Sequence, residues 1–191
     1  AFGRTGDETG SRHWGVQPDL MCTAKAITNG YFPFGAVMIS DRVAAVFEDD
    51  ETGVGSVDQG YTYSGHPVGA AAAVAALEET MRIRPWENAR ARGSELKAGL
   101  EALAGRFDMI GDVRGEGLMC AIELVSDRAT KTPVSKALPL VFQKAAYEDG
   151  VMIRVSGNNA IFSPPLIVDA EHVAKILSAT ETGLKAMAGA A

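Results

Sequence analysis

Short apolar runs alternate with polar, glycine-rich segments in the first part of the chain, and this pattern predicts short strands joined by loops. Residues 20–24 form the first run, for which we predict a buried strand, and residues 35–40 predict a second strand. Repeated glycines across residues 1–19 break any periodicity and predict a loop. Asp41 favours the N-cap of a short helix, and the polar, glycine-rich residues 49–60 predict a mobile loop.

Helical spacing replaces the short runs farther along the chain. We predict a helix that begins at Pro67, runs through a series of alanines and ends at Pro85. A second helix, over residues 86–107, carries leucines at helical spacing. Because alanine has little side-chain bulk, the first of these helices can pack very closely against its neighbours.

Strands and helices alternate from residue 108 onward, which predicts an α/β arrangement. The predicted elements are a strand over 113–125, a helix over 138–147 that Gly150 closes, strands over 151–155 and 160–163, and a final helix that Asp169 caps. The change of pattern predicts a domain boundary near residue 82. Residues 1–82 would form one domain, and residues 83–191 would form a second, α/β domain.

The composition narrows the class of protein. Hydrophobic residues make up 47% of the 191 residues, so we expect a sizeable core rather than disorder. The formal net charge of −6 and the pI of about 5.1 do not indicate a surface for nucleic acid or for anionic membranes. No apolar stretch approaches the length of a membrane span.

The two cysteines, Cys22 and Cys120, form no CxxC pair and show no metal-ligand spacing with the histidines. We therefore expect no metal site. Two isolated cysteines are typical of small core residues in a reducing compartment, so we expect a cytoplasmic protein.

Lys25 follows the apolar run over residues 20–24 and precedes the turn-prone pair Asn29 and Gly30. A lysine in an apolar, water-poor site has its charged form disfavoured, and its neutral amine can attack a carbonyl to form a Schiff base. The alternative is a lysine at the end of a strand. The apolar stem of its side chain would pack against the protein while its amine reaches water.

The segment from Thr62 to Pro67 places hydroxyl groups and a glycine directly before a predicted helix. Free backbone N–H groups and the positive end of the helix dipole suit such a position to a phosphate. The alternative is ordinary capping of the helix by Ser64, with Tyr63 facing the core.

Arg154 lies within the apolar run over residues 151–155. A planar guanidinium can bind a carboxylate through two parallel hydrogen bonds, which suits a substrate site. The alternative is an arginine on the solvent face of an ordinary strand.

A series of motifs in the same order resembles the class III pyridoxal-phosphate aminotransferases, of the ω-amino acid or amine:pyruvate kind. The motifs are FGRTG at 2–6, PDLMCTAKAITNGYFPFGAVMIS at 18–40, YTYSGHP at 61–67, DVRGEGLM at 112–119 and IRVSGNNAIFSPPLIV at 153–168. The resemblance extends over the whole chain. It implies the type I fold of PLP-dependent transferases, an α/β fold with a mainly parallel sheet in the cofactor domain.

The resemblance also implies a role for each of the three residues singled out above. Lys25 would form the Schiff base with pyridoxal phosphate, and Thr62 would bind the cofactor phosphate in the partner subunit's active site, which implies a homodimer. Arg154 would receive the carboxylate of an amino or keto acid and swing away for uncharged amines. The implied reaction moves an amino group from a primary amine or ω-amino acid to a keto acid such as pyruvate.

The chain departs from the family pattern in two small ways and one large way. Ala1 and Ala26 replace glycines that are common in the motifs. Family members are more than twice as long, and the part expected before Ala1 would hold an aspartate for the pyridine nitrogen and an aromatic for the ring. We therefore expect the C-terminal part of such an enzyme, with residues 1–82 from its cofactor domain and residues 83–191 as its small domain.

Three alternatives remain open at the level of the sequence. A class III aminomutase or decarboxylase would use the same lysine. A Schiff-base aldolase without a cofactor would keep Lys25 but would have no need of Thr62 or a phosphate. A catalytically incomplete fragment would fold and associate with other chains without binding the cofactor.

Overall fold

The computed structural model describes residues 1–49, 51, 53 and 55–190. Within them the chain forms two compact units. The first unit contains Ala1–Phe2 and Gly10–Arg84, and the second contains Gly3–Thr9 and Pro85–Ala191. The loop predicted over residues 49–60 falls partly outside the described residues, at 50, 52 and 54.

The first unit combines a strand pair with three helices. Its elements are α1 (Gly10–His13), β1 (Leu20–Ala24), a 3₁₀ turn (Lys25–Ile27), β2 (Gly35–Ile39), α2 (Asp41–Glu48) and α3 (Pro67–Ile83). The predicted strands and helices of this part are confirmed, but α1 lies within residues 1–19, for which a loop was predicted. The strands pair antiparallel, with Leu20 opposite Ile39. Ser40, rather than the predicted Asp41, occupies the N-cap of α2.

The burial predicted for residues 20–24 is wrong in this chain. Side chains along β1 alternate between exposed and half-buried, and β2 carries the exposed Val37, Met38 and Ile39. A strand buries its side chains only where another layer packs on its face. The described part of the first unit leaves both strands largely uncovered, so apolar composition alone did not determine burial.

The second unit is built around an antiparallel sheet. Its elements are α4 (Pro85–Ala104), β3 (Ile110–Glu116), β4 (Met119–Asp127), β5 (Thr132–Pro133), α5 (Leu138–Glu148), β6 (Arg154–Ser156), β7 (Asn159–Phe162) and α6 (Ala170–Ala190). The strands run in the order β3-β4-β7-β6, with β5 paired to β4. All strand pairs among the described residues are antiparallel, so the mainly parallel sheet expected for the cofactor domain is not found in this part.

Two strand predictions for the second unit need correction. The strand predicted over 113–125 is instead the hairpin of β3 and β4, because Gly117 adopts a φ of +54° and reverses the chain. The strand predicted over 151–155 begins only at Arg154. The amide of Val151 donates a hydrogen bond to the carbonyl of Ala146 (3.0 Å), which ties that residue to the end of α5.

The sheet packs against α4 and α5, and α6 packs on both of these helices, to form the core of the second unit. The predicted leucines of α4 (Leu96, Leu100 and Leu103) are buried there. Asp169 caps α6 as predicted, since its carboxylate accepts a hydrogen bond from the amide of His172 (2.9 Å). That bond is the main reason why the pKa of Asp169 lies below its usual value.

The two cysteines differ in their surroundings. Cys120 is buried in the core, and desolvation raises the pKa of its thiol to about 11. Cys22 is exposed on β1, so the prediction of a small core residue holds for Cys120 only.

The segment Gly3–Thr9 is irregular, as predicted for residues 1–19, but it is part of the second unit. The carbonyl of Arg4 accepts a hydrogen bond from the amide of Leu118 (2.9 Å). The Arg4 guanidinium donates to the carbonyls of Leu118 (2.9 Å) and Pro164 (2.8 Å), and its partial burial lowers its pKa. One arginine thus joins the FGRTG segment to the hairpin turn and to the residues after β7.

Candidate functional site

Lys25 lies at the end of β1, where it is the first residue of the 3₁₀ turn. Its φ of +54° is unusual for a residue with a side chain and marks a backbone that its surroundings hold in place. The carbonyl of Lys25 accepts a hydrogen bond from the amide of Thr28 (3.2 Å), while β1 fixes the preceding residues. The position and direction of the lysine are therefore set by the backbone.

The amine of Lys25 is accessible in this chain. The residue is exposed, so the apolar, water-poor site expected around it is not present among the described residues. The described residues also supply no hydrogen bond or ion pair to this amine, whereas Lys175 pairs with Asp149 and Lys185 with Glu181. A primary amine with no intramolecular partner is available to a ligand.

The loop after Lys25 is held by the buried Thr28. Its hydroxyl donates a hydrogen bond to the carbonyl of Phe32 (2.7 Å), which closes the loop that passes through Asn29 and Gly30. Both of these residues have positive φ values, in agreement with the turn predicted from their sequence. This loop delivers Phe32 and Phe34 to the start of α3.

Thr62 lies in a tight turn before α3. The amide of Ser64 donates to the carbonyl of Tyr61 (2.9 Å), and the Ser64 hydroxyl accepts from the amide of Tyr61 (2.8 Å). Ser64 therefore closes this turn instead of capping α3, for which His66 is the N-cap without a side-chain hydrogen bond. Tyr63 is exposed rather than directed into a core, and the exposed Thr62 hydroxyl has no partner among the described residues.

Aromatic rings join the loop after Lys25 to the turn that carries Thr62. The ring of Phe32 stacks on the ring of His66, with centroids 5.2 Å apart and planes 27° apart. Gly69, buried in the first turns of α3, permits this packing, since a Cβ there would lie 2.8 Å from Phe34 and 2.9 Å from Phe32. Sequence reasoning missed this junction, because Phe32 and His66 lie in different motifs. A glycine near the start of an alanine-rich helix was its one visible signal.

Arg154 begins β6 on the outer face of the second unit's sheet. Across the sheet, Arg154 pairs with Ile161, Ile161 with Ala121, and Ala121 with Arg114. Residues paired in this way lie on the same face of the sheet, so Arg154 and Arg114 share a face. Arg154 is exposed, and no hydrogen bond or ion pair to the described residues restrains its guanidinium. Every other arginine in the described part of the chain has at least one polar or electrostatic partner.

Arg114, at the other end of that row, differs from Arg154 in this respect. Its guanidinium pairs with Asp112 (2.8 Å) and also donates to the side-chain oxygen of Asn159. The two arginines share a face of the sheet, but only Arg154 has a guanidinium that can accept a carboxylate without first breaking an internal pair. This is the property that a mobile substrate-binding arginine requires.

The donor groups of the first unit suit a cofactor that carries an aldehyde and a phosphate. Lys25 offers a primary amine and Thr62 a hydroxyl, and neither is bound to other described residues. Over the same residues, no group of three or more His, Cys, Asp or Glu side chains could hold a metal ion. None of the helices described has the length and apolar character needed to cross a bilayer.

Comparisons with known proteins give a consistent result. The family model described as aminotransferase class-III matches residues 1–184. The chain is 40% identical to an uncharacterized aminotransferase of Sinorhizobium fredii (97% of this chain, 41% of the relative). It is 32% identical to a putrescine–pyruvate aminotransferase of Pseudomonas aeruginosa (93% and 38%) and to gamma-aminobutyrate transaminase 1 of rice (97% and 36%).

Solved structures agree with the sequence relatives. An amine transaminase from an uncultivated Pseudomonas species, in its PLP-bound form, superposes with a TM-score of 0.91 at 40% identity. The match covers 97% of this chain and 42% of that structure. The chain therefore spans about two fifths of the length of the proteins it matches.

Proposed function

We infer the function from one premise: this chain belongs to the class III aminotransferase family and has the α/β fold of type I PLP-dependent transferases. Pyridoxal phosphate is the cofactor of that family. We propose that the protein carrying this chain moves an amino group from a primary amine or ω-amino acid to a keto acid such as pyruvate. The names of relatives that act on gamma-aminobutyrate or on putrescine with pyruvate support this substrate range.

The observation that carries the proposal is the accessible, unpartnered amine of Lys25 on a backbone of fixed, positive φ. When bound, the cofactor supplies an aldehyde for that amine and a ring that accepts an electron pair. Lys25 would hold the cofactor through Nζ. When released by substrate, Nζ would act as a general base and acid: it would take a proton from the carbon that bears the amino group and later give a proton back.

Thr62 is proposed to bind the cofactor phosphate. Its hydroxyl lies at an exposed turn directly before α3, where the helix dipole favours a negative charge. Following the family pattern, we propose that this turn serves the active site of the partner subunit in a homodimer. We further propose that the enzyme acts in the cytosol, which agrees with its two free cysteines.

The direct test of this function is to trap the cofactor on the lysine. The purified protein is incubated with pyridoxal phosphate, reduced with borohydride, digested and mapped by mass. We expect a phosphopyridoxyl group on Lys25 and none on Lys136, which is an exposed lysine that also has no partner among the described residues. Labelling of both lysines to the same extent, or of neither, would contradict the proposal.

Arg154 provides a prediction about substrates. Replacing it with alanine is expected to raise KM for keto acids and ω-amino acids by roughly 10- to 100-fold, because a charge-assisted bidentate pair is lost. KM for an amine without a carboxylate should change less than about twofold. Steady-state kinetics with a matched pair of donors, one with and one without the carboxylate, measures the difference. An equal rise for both donors would show that Arg154 does not select the carboxylate.

A further inference from the structure

The geometry around His66 points to a positioning role that goes beyond the proposed function and rests on it. We propose that His66 couples the Lys25 loop to the Thr62 turn of the same chain. In a homodimer whose Thr62 turn serves the partner's site, one ring would then influence cofactor binding in two active sites.

A continuous series of contacts leads from Lys25 to His66. The carbonyl of Lys25 accepts a hydrogen bond from the amide of Thr28 (3.2 Å), and the Thr28 hydroxyl binds the carbonyl of Phe32 (2.7 Å). The Phe32 ring then stacks on His66. Thr28 is 1% exposed, so the central link of this series is shielded from competition by water.

A second, shorter series leads from His66 to Thr62. The amide of His66 donates to the carbonyl of Tyr63 (3.2 Å), and the rings of these two residues lie 5.7 Å apart. The carbonyl of His66 accepts from the amide of Ala70 (3.0 Å), which anchors the histidine in α3. His66 is therefore fixed to the helix on one side and to the turn of Thr62 on the other.

The packing at this junction is close enough to transmit a displacement. Gly69 is buried directly beneath the two phenylalanine rings, and no side chain could replace it without moving them. His66 Nδ1 is buried and has no hydrogen-bond partner among the described residues. The imidazole thus contributes through ring contact here, so a phenylalanine should replace it, whereas an alanine should not.

Hybrid dimers separate the two effects of one ring. One protomer carries Lys25→Ala, so the dimer keeps a single complete site, made from the Lys25 of one chain and the Thr62 of the other. His66→Ala is then placed either in the chain that supplies Lys25 or in the chain that supplies Thr62. The apparent Kd for pyridoxal phosphate and the yield of borohydride fixation are measured for each hybrid.

We expect either placement to weaken cofactor binding by about three- to tenfold, the range for loss of one aromatic pair. His66→Phe should restore binding in both placements, which a general loss of stability would not explain. Val68→Ala, at an exposed position in the same first turn of α3, serves as the control and should leave binding unchanged.

Weakening in only one placement, or in neither, would overturn the coupling. A failure of the proposed function itself can be told apart from a failure of the coupling. In that case the hybrid that carries only Lys25→Ala would show no borohydride fixation of pyridoxal phosphate on the remaining Lys25. That result would overturn the inference together with its premise.

Discussion

Replacing Lys25 with alanine is expected to abolish transamination, with a fall in kcat of at least about 1,000-fold. The substitution removes both the nucleophile that holds the cofactor and the group that moves the proton, and general acid–base catalysis alone contributes about 100- to 10,000-fold. Activity is measured with a saturating amine donor and pyruvate. Borohydride fixation at position 25, measured in parallel, should be lost completely.

Two further variants make this result specific to the chemistry of the amine. Lys25→Arg keeps a positive charge but cannot form the Schiff base, so it should be as inactive as the alanine variant. Lys136→Ala, which removes another exposed lysine, should retain full activity. Substantial activity in Lys25→Arg would mean that charge alone is needed, and it would refute the assigned role.

Replacing Gly93 with alanine is expected to destabilise the second unit by about 1–3 kcal/mol, the typical range for overpacking of a close contact. Gly93 is buried on α4 against the turn between β3 and β4, and an added Cβ would lie only 2.5 Å from the Gly117 Cα. Gly117 cannot move away, because it packs against the backbone of Arg4 and Thr5. The gain in helix propensity, about 1 kcal/mol, offsets only part of the cost.

Gly189→Ala is the matched control for this change. Gly189 also lies in a helix, but an added Cβ there would meet nothing within 4 Å. Its replacement should therefore be neutral or stabilising by up to about 1 kcal/mol. Urea unfolding followed by circular dichroism measures both variants. Equal stability of the two would show that the contact between Gly93 and Gly117 relaxes easily.

The sequence by itself determined the elements whose signals are local. Pro67 starts α3, and Asp169 caps α6, because both effects depend on residues within one helical turn. The motifs also identified Lys25, Thr62 and Arg154 as candidates, because the family resemblance depends on which motifs occur and in what order along the chain. The structure adds that all three have polar groups free of partners among the described residues, while their roles in catalysis remain predictions.

Only the tertiary structure decided features that depend on residues distant in sequence. The exposure of β1 depends on whether another layer covers it, which its own apolar residues do not specify. Arg4 binds carbonyls of Leu118 and Pro164, more than 100 positions away, and so ties residues 3–6 of the FGRTG motif to the second unit. The stack of Phe32 on His66 likewise joins two motifs between which α2 lies in the sequence. Such contacts produce no hydrophobic periodicity in the sequence, because each depends on which distant segments the fold brings together.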